Sequence, residues 1–293
     1  MPLKCDEKGN VYARFFSGFL PSSEIVKITP DGARAATYDY ARVSGLENAS
    51  ATDFALGGAR ELYEMVEVPT ETGHEAILLR FSEDGTFKDK SKLIAPKVFV
   101  PSRLLILQDG NLFISGVVSE GREKGKAFNG IFKADGRLIR DFALKGDAKP
   151  LEHSALNNEP TILLNPAVAS GQAMLGADGN IYLFRHLTPA FVYVVSPAGQ
   201  LVQTLTVKPP VEKAEPVGAL MGSTSMAILF QVPDESDVSN SRIRVVSLQT
   251  GEAITDYKIS PELGSAIACY ASDRFTFIGM MHRQRSLVQA STR

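Results

Sequence analysis

Residues 107–116 read LQDGNLFISG, and close variants of the phrase return at 176–185 (GADGNIYLFR) and 6–15 (DEKGNVYARF). A polar turn with glycine, followed by an apolar and aromatic run, recurs at sequence-distant places. Such recurrence constrains the fold more than any bulk property. A short supersecondary unit cannot bury its apolar face alone and must stack on its neighbours. The second strand of each unit opens at Asn10-Val11-Tyr12, Glu61-Leu62-Tyr63, Asn111-Leu112-Phe113 and Asn180-Ile181-Tyr182, with weaker copies at Met226-Ala227-Ile228 and Arg274-Phe275-Thr276.

A third strand follows a dozen to twenty residues later: EIVKITPDG (24–32), AILLRFSEDG (76–85), GIFKADG (130–136), VYVVSPAG (192–199), IRVVSLQTG (243–251) and SLVQAS (286–291). Most end in a tight turn closed by glycine, which supplies positive φ without a Cβ clash. A fourth strand leaves that turn in five units, and the sixth copy is missing because the sequence stops at Arg293. The segments are short and alternate with period two, so they are strands and not helices. The expected fold is therefore all-β: a single six-bladed β-propeller with four-stranded antiparallel blades, the last one three-stranded. The expected blades span 1–43, 51–95, 101–145, 171–209, 216–260 and 264–293, in one domain covering 1–293. The absence of Trp disfavours repeat families that place tryptophan in every unit.

At these residues the chain resembles the NHL-type and related six-bladed propellers, whose units run D-x-x-G-N, then V-Y-V-A, then R-I-x-V-F-D-x-x-G-K. The sequences from Asp6 to Tyr12 and from Asp109 to Phe113 carry the likeness best, and units 2, 5 and 6 have lost the Gly-Asn pair. The resemblance implies a fold and no particular chemistry, since propellers of this kind host hydrolases, lyases and binding modules.

Strand direction sorts the connections into two faces. The Asp-Gly-Asn and Pro-Asp-Gly turns fall on one face. The long connections 44–54, 119–128, 145–171 and 232–241 fall on the other, hereafter the loop face. Irregular loops on one face only mark the side where a ligand, substrate or partner is expected. The repeated aspartates and asparagines are turn residues first.

On the loop face, four arginines suggest an anion-attracting rim: Arg14 and Arg185 on second strands, Arg283 just beyond one, and Arg103 near an inner strand. A guanidinium pairs well with carboxylate or phosphate. Glu64 and Glu67 occupy similar places and could pair them off instead. Asp53, Arg103 and Gln172 stand near the entries to inner strands and could line the channel mouth.

His74, His186 and His282 fall between second and third strands of alternate units, and His153 lies in the long connection. Three such histidines could converge on a zinc ion. Some propeller lyases use three histidines, but each follows a proline at the entry to an inner strand. The matching positions here are Ser102 after Pro101 and Ala167 after Pro166. The gluconolactonase-like six-bladed propellers bind a divalent ion and open with Glu-Gly-Pro, which this sequence lacks. Neither a metal nor another cofactor is expected, and the ligand-binding candidates are Arg14, Asp53, Arg103, Gln172, Arg185, His186 and His282. Gly-x-Ser-x-Gly, Cys-x-x-Cys and His-Glu-x-x-His are absent.

Cys5 and Cys269 each stand five residues before the second-strand anchor of their unit, in the first and last units. A closed ring makes them neighbours. Sheets pack about 10 Å apart, beyond the ~7 Å limit on Cα separation for a disulfide, so two buried thiols are the default expectation; blades converge toward the axis, so a disulfide that latches the ring and argues for an oxidising compartment is the alternative. With 31 basic and 33 acidic side chains the chain lacks the basic surface that nucleic acid demands. No apolar run reaches the ~18 residues of a membrane span. The start, MPLKCDEKGN, has no apolar leader core. An exported protein with its leader removed would look the same. The expected function is recognition of a small molecule or protein on the loop face. The alternative is a hydrolase or lyase working over the channel, with or without a divalent metal; a structural module in a larger assembly is a third class.

Overall fold

The computed structural model describes residues 3–17, 20–58, 60–71, 73–144, 171–232, 241–260, 267–271, 274–281 and 284–290. Five antiparallel sheets have four strands each and a smaller sixth sheet has three, in a propeller arrangement. The first blade holds β1 (Leu3–Cys5), β2 (Val11–Ser17), β3 (Leu20–Ile28) and β4 (Arg34–Asp39). The second holds β5 (Ser50–Leu56), β6 (Leu62–Thr70), β7 (Gly73–Phe81) and β8 (Phe87–Lys92). The third holds β9 (Phe99–Ile106), β10 (Leu112–Val118), β11 (Ala127–Phe132) and β12 (Leu138–Phe142). β13 (Gln172–Leu175), β14 (Ile181–Arg185), β15 (Ala190–Val195) and β16 (Leu201–Val207) form the fourth. β17 (Glu215–Met221), β18 (Ser225–Gln231), β19 (Ser241–Ser247) and β20 (Ala253–Lys258) form the fifth. The sixth sheet is β21 (Ile267–Ala271), β22 (Arg274–Met281) and β23 (Gln284–Ala290). Within each sheet the strands pair in chain order.

Burial varies with radius. Every residue of β10 is buried, because both faces of a second strand press against neighbouring blades. Outer strands such as β8 and β20 are mostly exposed. First strands of successive sheets lie side by side, β5 with β9, β9 with β13, β13 with β17 and β17 with β21, and β21 meets β1. The cores are accordingly interfaces. Phe54 and Leu79 pack with Tyr38 and Ile25 between the first and second blades. Phe113, Leu105 and Ile131 pack with Ile181, Leu183 and Tyr193 between the third and fourth.

The repeated turns are closed by their own side chains. Asp109 Oδ1 accepts from the Asn111 N–H at 3.0 Å and its Oδ2 from Asn111 Nδ2 at 2.7 Å, and Asp6 and Asp178 repeat the pattern with Asn10 and Asn180. Tyr12 and Tyr182 add their hydroxyls to the same carboxylates. These aspartates are consumed by the scaffold. The outer hairpins join blades: Gly85, at φ +90°, leaves no room for a Cβ against the Thr37 carbonyl of the first blade. Gly136, at φ +85°, meets the Lys92 carbonyl of the second blade in the same way.

The expectation of two free thiols is overturned. Cys5 and Cys269 form a disulfide between β1 and β21, with Cα atoms 5.7 Å apart. The sheet spacing that argued against it holds at mid-radius, whereas first strands converge on the axis. The bond sits in a thin seam: among the described residues only Val11, Ala268 and Cys269 are buried in that interface, with Leu3 and Cys5 packed on them. No helix among the described residues is long and apolar enough to cross a membrane.

Candidate functional site

Register places the site. In the third blade Leu105 pairs with Phe113, and Phe113 with Ile131. Two residues towards the loop face, Arg103 pairs with Ser115, and Ser115 with Asn129. Side chains two apart on a strand share a face. Arg103, Ser115 and Asn129 therefore face the fourth blade, as Leu105, Phe113 and Ile131 do. On the fourth blade Ile181, Leu183 and Arg185 share the face turned back towards the third. The loop-face end of this interface is thus polar, while its remainder is apolar.

Arg185 is 2% exposed, and its guanidinium lies 5.9 Å from the Tyr193 ring centre, within cation–π reach. Arg103 Nε donates to the Gly171 carbonyl at 2.5 Å and Nη1 to the Ser102 carbonyl at 2.6 Å. Burial lowers the Arg103 pKa, the Asp53 carboxylate raises it, and the Arg185 charge lowers it again. Two guanidiniums of one sign thus sense each other across the interface. Burial, and then the charge of Arg103, push the His186 imidazole down to about 4, so it is neutral at pH 7. The His186 ring stands edge-on to Phe184, 5.0 Å between centres, and its buried Nε2 has no hydrogen-bond partner.

Asn129 is fully buried, and neither its Nδ2 nor its Oδ1 has a partner. Leaving a buried polar group unsatisfied costs about 1–3 kcal/mol, and folded proteins rarely tolerate it without a reason. Ser115, beside it in the same row, is 1% exposed. This interface accordingly gathers two cations and an unmet amide at the rim of the loop face, while His186, on the Phe184 side of its sheet, faces away from it.

The other candidates stand apart. Arg14 and Glu64 form a buried ion pair between the first and second blades, with side-chain exposures of 2% and 0%. The Arg14 guanidinium also lies 5.9 Å from the Tyr40 ring centre. Burial pushes the Glu64 carboxyl up to about 7 despite the opposing pull of Arg14. Here an acidic side chain does pair off one of the rim arginines. Asp53, on the first strand of the second blade, is buried, and its Oδ2 accepts from the Leu104 N–H at 2.9 Å and from Lys4 Nζ at 3.3 Å. Lys4, whose side chain is 25% exposed, also reaches the Leu104 carbonyl at 3.4 Å and ties β1, β5 and β9 together. Gln172 Oε1 accepts from the Ala219 N–H, joining β13 to β17. His74 is exposed on β7, opposite Pro69. His282, Arg283 and His153 lie outside the described residues.

Sequence reasoning missed Asn129 and Lys4. Asn129 had a faint signal, as the one polar residue in the otherwise apolar third strand AFNGIF. Lys4 had none. Among the described residues no group of three His, Cys, Asp or Glu side chains stands close enough to hold a metal ion.

No protein-family model matches the chain, and no curated protein matches it by sequence. Solved structures match it by shape. A candidate exo-β-1,3-galactanase from Bifidobacterium bifidum s17 aligns with a TM-score of 0.50 at 12% identity, over 86% of this chain and 88% of that one. A glucose dehydrogenase aligns at 0.47 and 13% identity, over 98% and 93%. A candidate gluconolactonase aligns at 0.44 and 16%, over 77% and 69%. At such identities likeness speaks to fold alone.

Proposed function

We propose that this chain is a six-bladed propeller of the NHL-related kind that works by recognition, holding a small anionic molecule on its loop face between the third and fourth blades. The observation that carries the reading is the placement of Arg103 and Arg185 on facing sheets beside the unpartnered amide of Asn129. Guanidinium groups buried in low dielectric bind an anion more strongly than they would in water, and one of them lies within cation–π reach of Tyr193. The Cys5–Cys269 bond supports an oxidising compartment, which favours export.

Calorimetric titration with simple organic acids tests the reading. The wild type should bind at least one of them, and the Arg103→Ala, Arg185→Ala double variant should lose that binding without losing its fold. Unchanged affinity in the double variant discards the reading.

A hydrolase or lyase acting over the channel is the second reading. The partly exposed Lys4 ammonium beside Asp53 supports it, since such a pair could move a proton at the channel mouth. Turnover of lactone or ester substrates that disappears in Lys4→Met, while acid binding persists, would favour it over pure recognition.

A further inference from the structure

Four of the five outer hairpins rest on the blade before them. Gly85, Gly136, Gly199 and Gly251 close the third-to-fourth-strand turns of blades two to five at positive φ, and a Cβ at each would meet Thr37, Lys92, Phe142 and Leu205 respectively. Those four residues all stand on the fourth strand of the preceding blade. The strands answer with side chains: the Tyr38 hydroxyl donates to the Glu83 carbonyl at 2.8 Å, Arg140 Nη1 to that of Ala198 at 2.9 Å and Gln203 Nε2 to that of Leu248 at 3.1 Å. Gly32, in the β3–β4 turn of the first blade, has the same backbone at φ +87°, yet no described atom lies within 4 Å of where its Cβ would stand. The strand it would rest on is the fourth of the sixth blade. Among the described residues that sheet has three strands, and no strand pairs with the outer edge of β23. The seam between the sixth and first blades is therefore closed near the axis by Cys5–Cys269 and open at the rim.

We propose that this opening takes an extended segment of a partner protein, which adds to β23 as a fourth strand and lies beneath the Gly32 turn. The class of occupant follows from continuity with the contacts already in place: in four other seams a strand fills the equivalent position, and β23 offers the unpaired main-chain ladder that a strand needs. Its side chains follow from the same strands. Alternate residues share a face, and β16 turns Gln203, Leu205 and Val207 to the following blade, the last two buried in the core there. β4 does the same with Ala36 and Tyr38. The partner segment therefore carries apolar residues at alternate positions on one face, with a tyrosine, arginine or glutamine among them. That long side chain donates to a carbonyl of the Thr29–Ala33 turn, whose residues 30–33 are exposed. Main-chain bonds to β23 supply affinity, and the apolar face supplies selection. This surface is separate from the interface between the third and fourth blades, so the two readings stand or fall independently.

Synthetic peptides that copy two of the fourth strands, residues 200–208 and 33–40, probe the full-length, oxidised protein. By fluorescence anisotropy at least one should bind saturably, and by hydrogen exchange it should slow the amides of β23 and of the Thr29–Ala33 turn. An L205S, V207S copy of the first peptide should bind at least tenfold more weakly than its parent. Methylating alternate main-chain nitrogens along one edge of the bound peptide should abolish binding, and along the other edge should spare it, since only one edge faces β23. G32N, which asparagine tolerates at positive φ, fills the opening and should weaken binding at least fivefold. G110N, at φ +81° in an open inner turn, should leave it unchanged. The methylated peptides decide the matter should G32N fail to fold. Binding by neither copy, binding indifferent to which edge is methylated, or protection away from β23 overturns the proposal. Slow exchange of the β23 amides in the free monomer assigns the edge to a segment of this chain, and slow exchange only where the protein dimerises assigns it to a second copy; either result overturns the partner.

Discussion

Replacing Gly85 with alanine should cost far more than the same change at Gly32, although both close the outer hairpin of a blade at nearly the same φ. Gly32 sits at +87° with open space where a Cβ would go. Gly85 sits at +90°, and its Cβ would run into the Thr37 carbonyl of the preceding blade. At Gly32 only the left-handed backbone is strained, which costs an L-residue about 1–2 kcal/mol. At Gly85 the same term applies, and overpacking against main chain that cannot rotate away adds about 1–3 kcal/mol. The expected losses are thus about 1–2 kcal/mol for G32A and about 2–5 kcal/mol for G85A. Urea denaturation of the two variants beside the wild type measures the difference at constant m-value, and G136A should resemble G85A because its Cβ meets the Lys92 carbonyl. Equal losses in G32A and G85A would refute the reasoning, since the blades would then not approach through these turns.

Opening the Cys5–Cys269 bond, by reductant or by a C5S, C269S double change, should lower stability by about 2–5 kcal/mol, because a 264-residue span is released at the thinnest interblade core; the denaturation midpoint with and without reductant, beside a thiol count, checks it. Truncating Arg14 to alanine should cost about 1–3 kcal/mol by leaving the buried Glu64 carboxyl, then uncharged, without its partner, whereas an R14L, E64L double change should cost less; thermal melts of the three proteins decide. The Glu64 carboxyl is held above its unfolded value, so its contribution to stability is complete below about pH 4.5 and is lost as pH rises through about 7; E64Q should lack that slope. His186 is held below its unfolded value, so its contribution is complete above about pH 6.5 and is lost as pH falls through about 4; NMR titration of the ring should give a midpoint near 4 and not near 6.5.

The strands were readable because each blade needs the same hairpin, and a tight turn with an internal Asp-to-Asn clasp leaves a residue-level mark. Asp109 with Asn111 and Asp178 with Asn180 are that mark. Sidedness followed from strand direction, and with it the neighbourhood of Arg103 and Arg185. What the sequence does not carry is offset between sheets. Arg14, four residues after Asn10, points to the following blade and meets Glu64; Arg185, five after Asn180, points back to the preceding one. A one-residue shift sends a side chain to the opposite face of its sheet. Two arginines that look equivalent in the chain therefore serve different interfaces. Asn129 left only a faint mark, as the one polar residue of β11: its weight comes from a buried, unmet amide and from no motif. The disulfide was the less favoured of two readings: convergence on the axis allowed it, but how close the two first strands come is a distance that a linear reading does not contain.

The side-chain amide of Asn129 offers the most direct test of the account, since it lies in the interface itself. In isotope-labelled protein its two Nδ2 proton resonances should move on titration with an organic acid that the wild type binds, and stay fixed in the Arg103→Ala, Arg185→Ala variant. If the acid binds while those resonances remain still and residues elsewhere shift, the interface between the third and fourth blades is not the site.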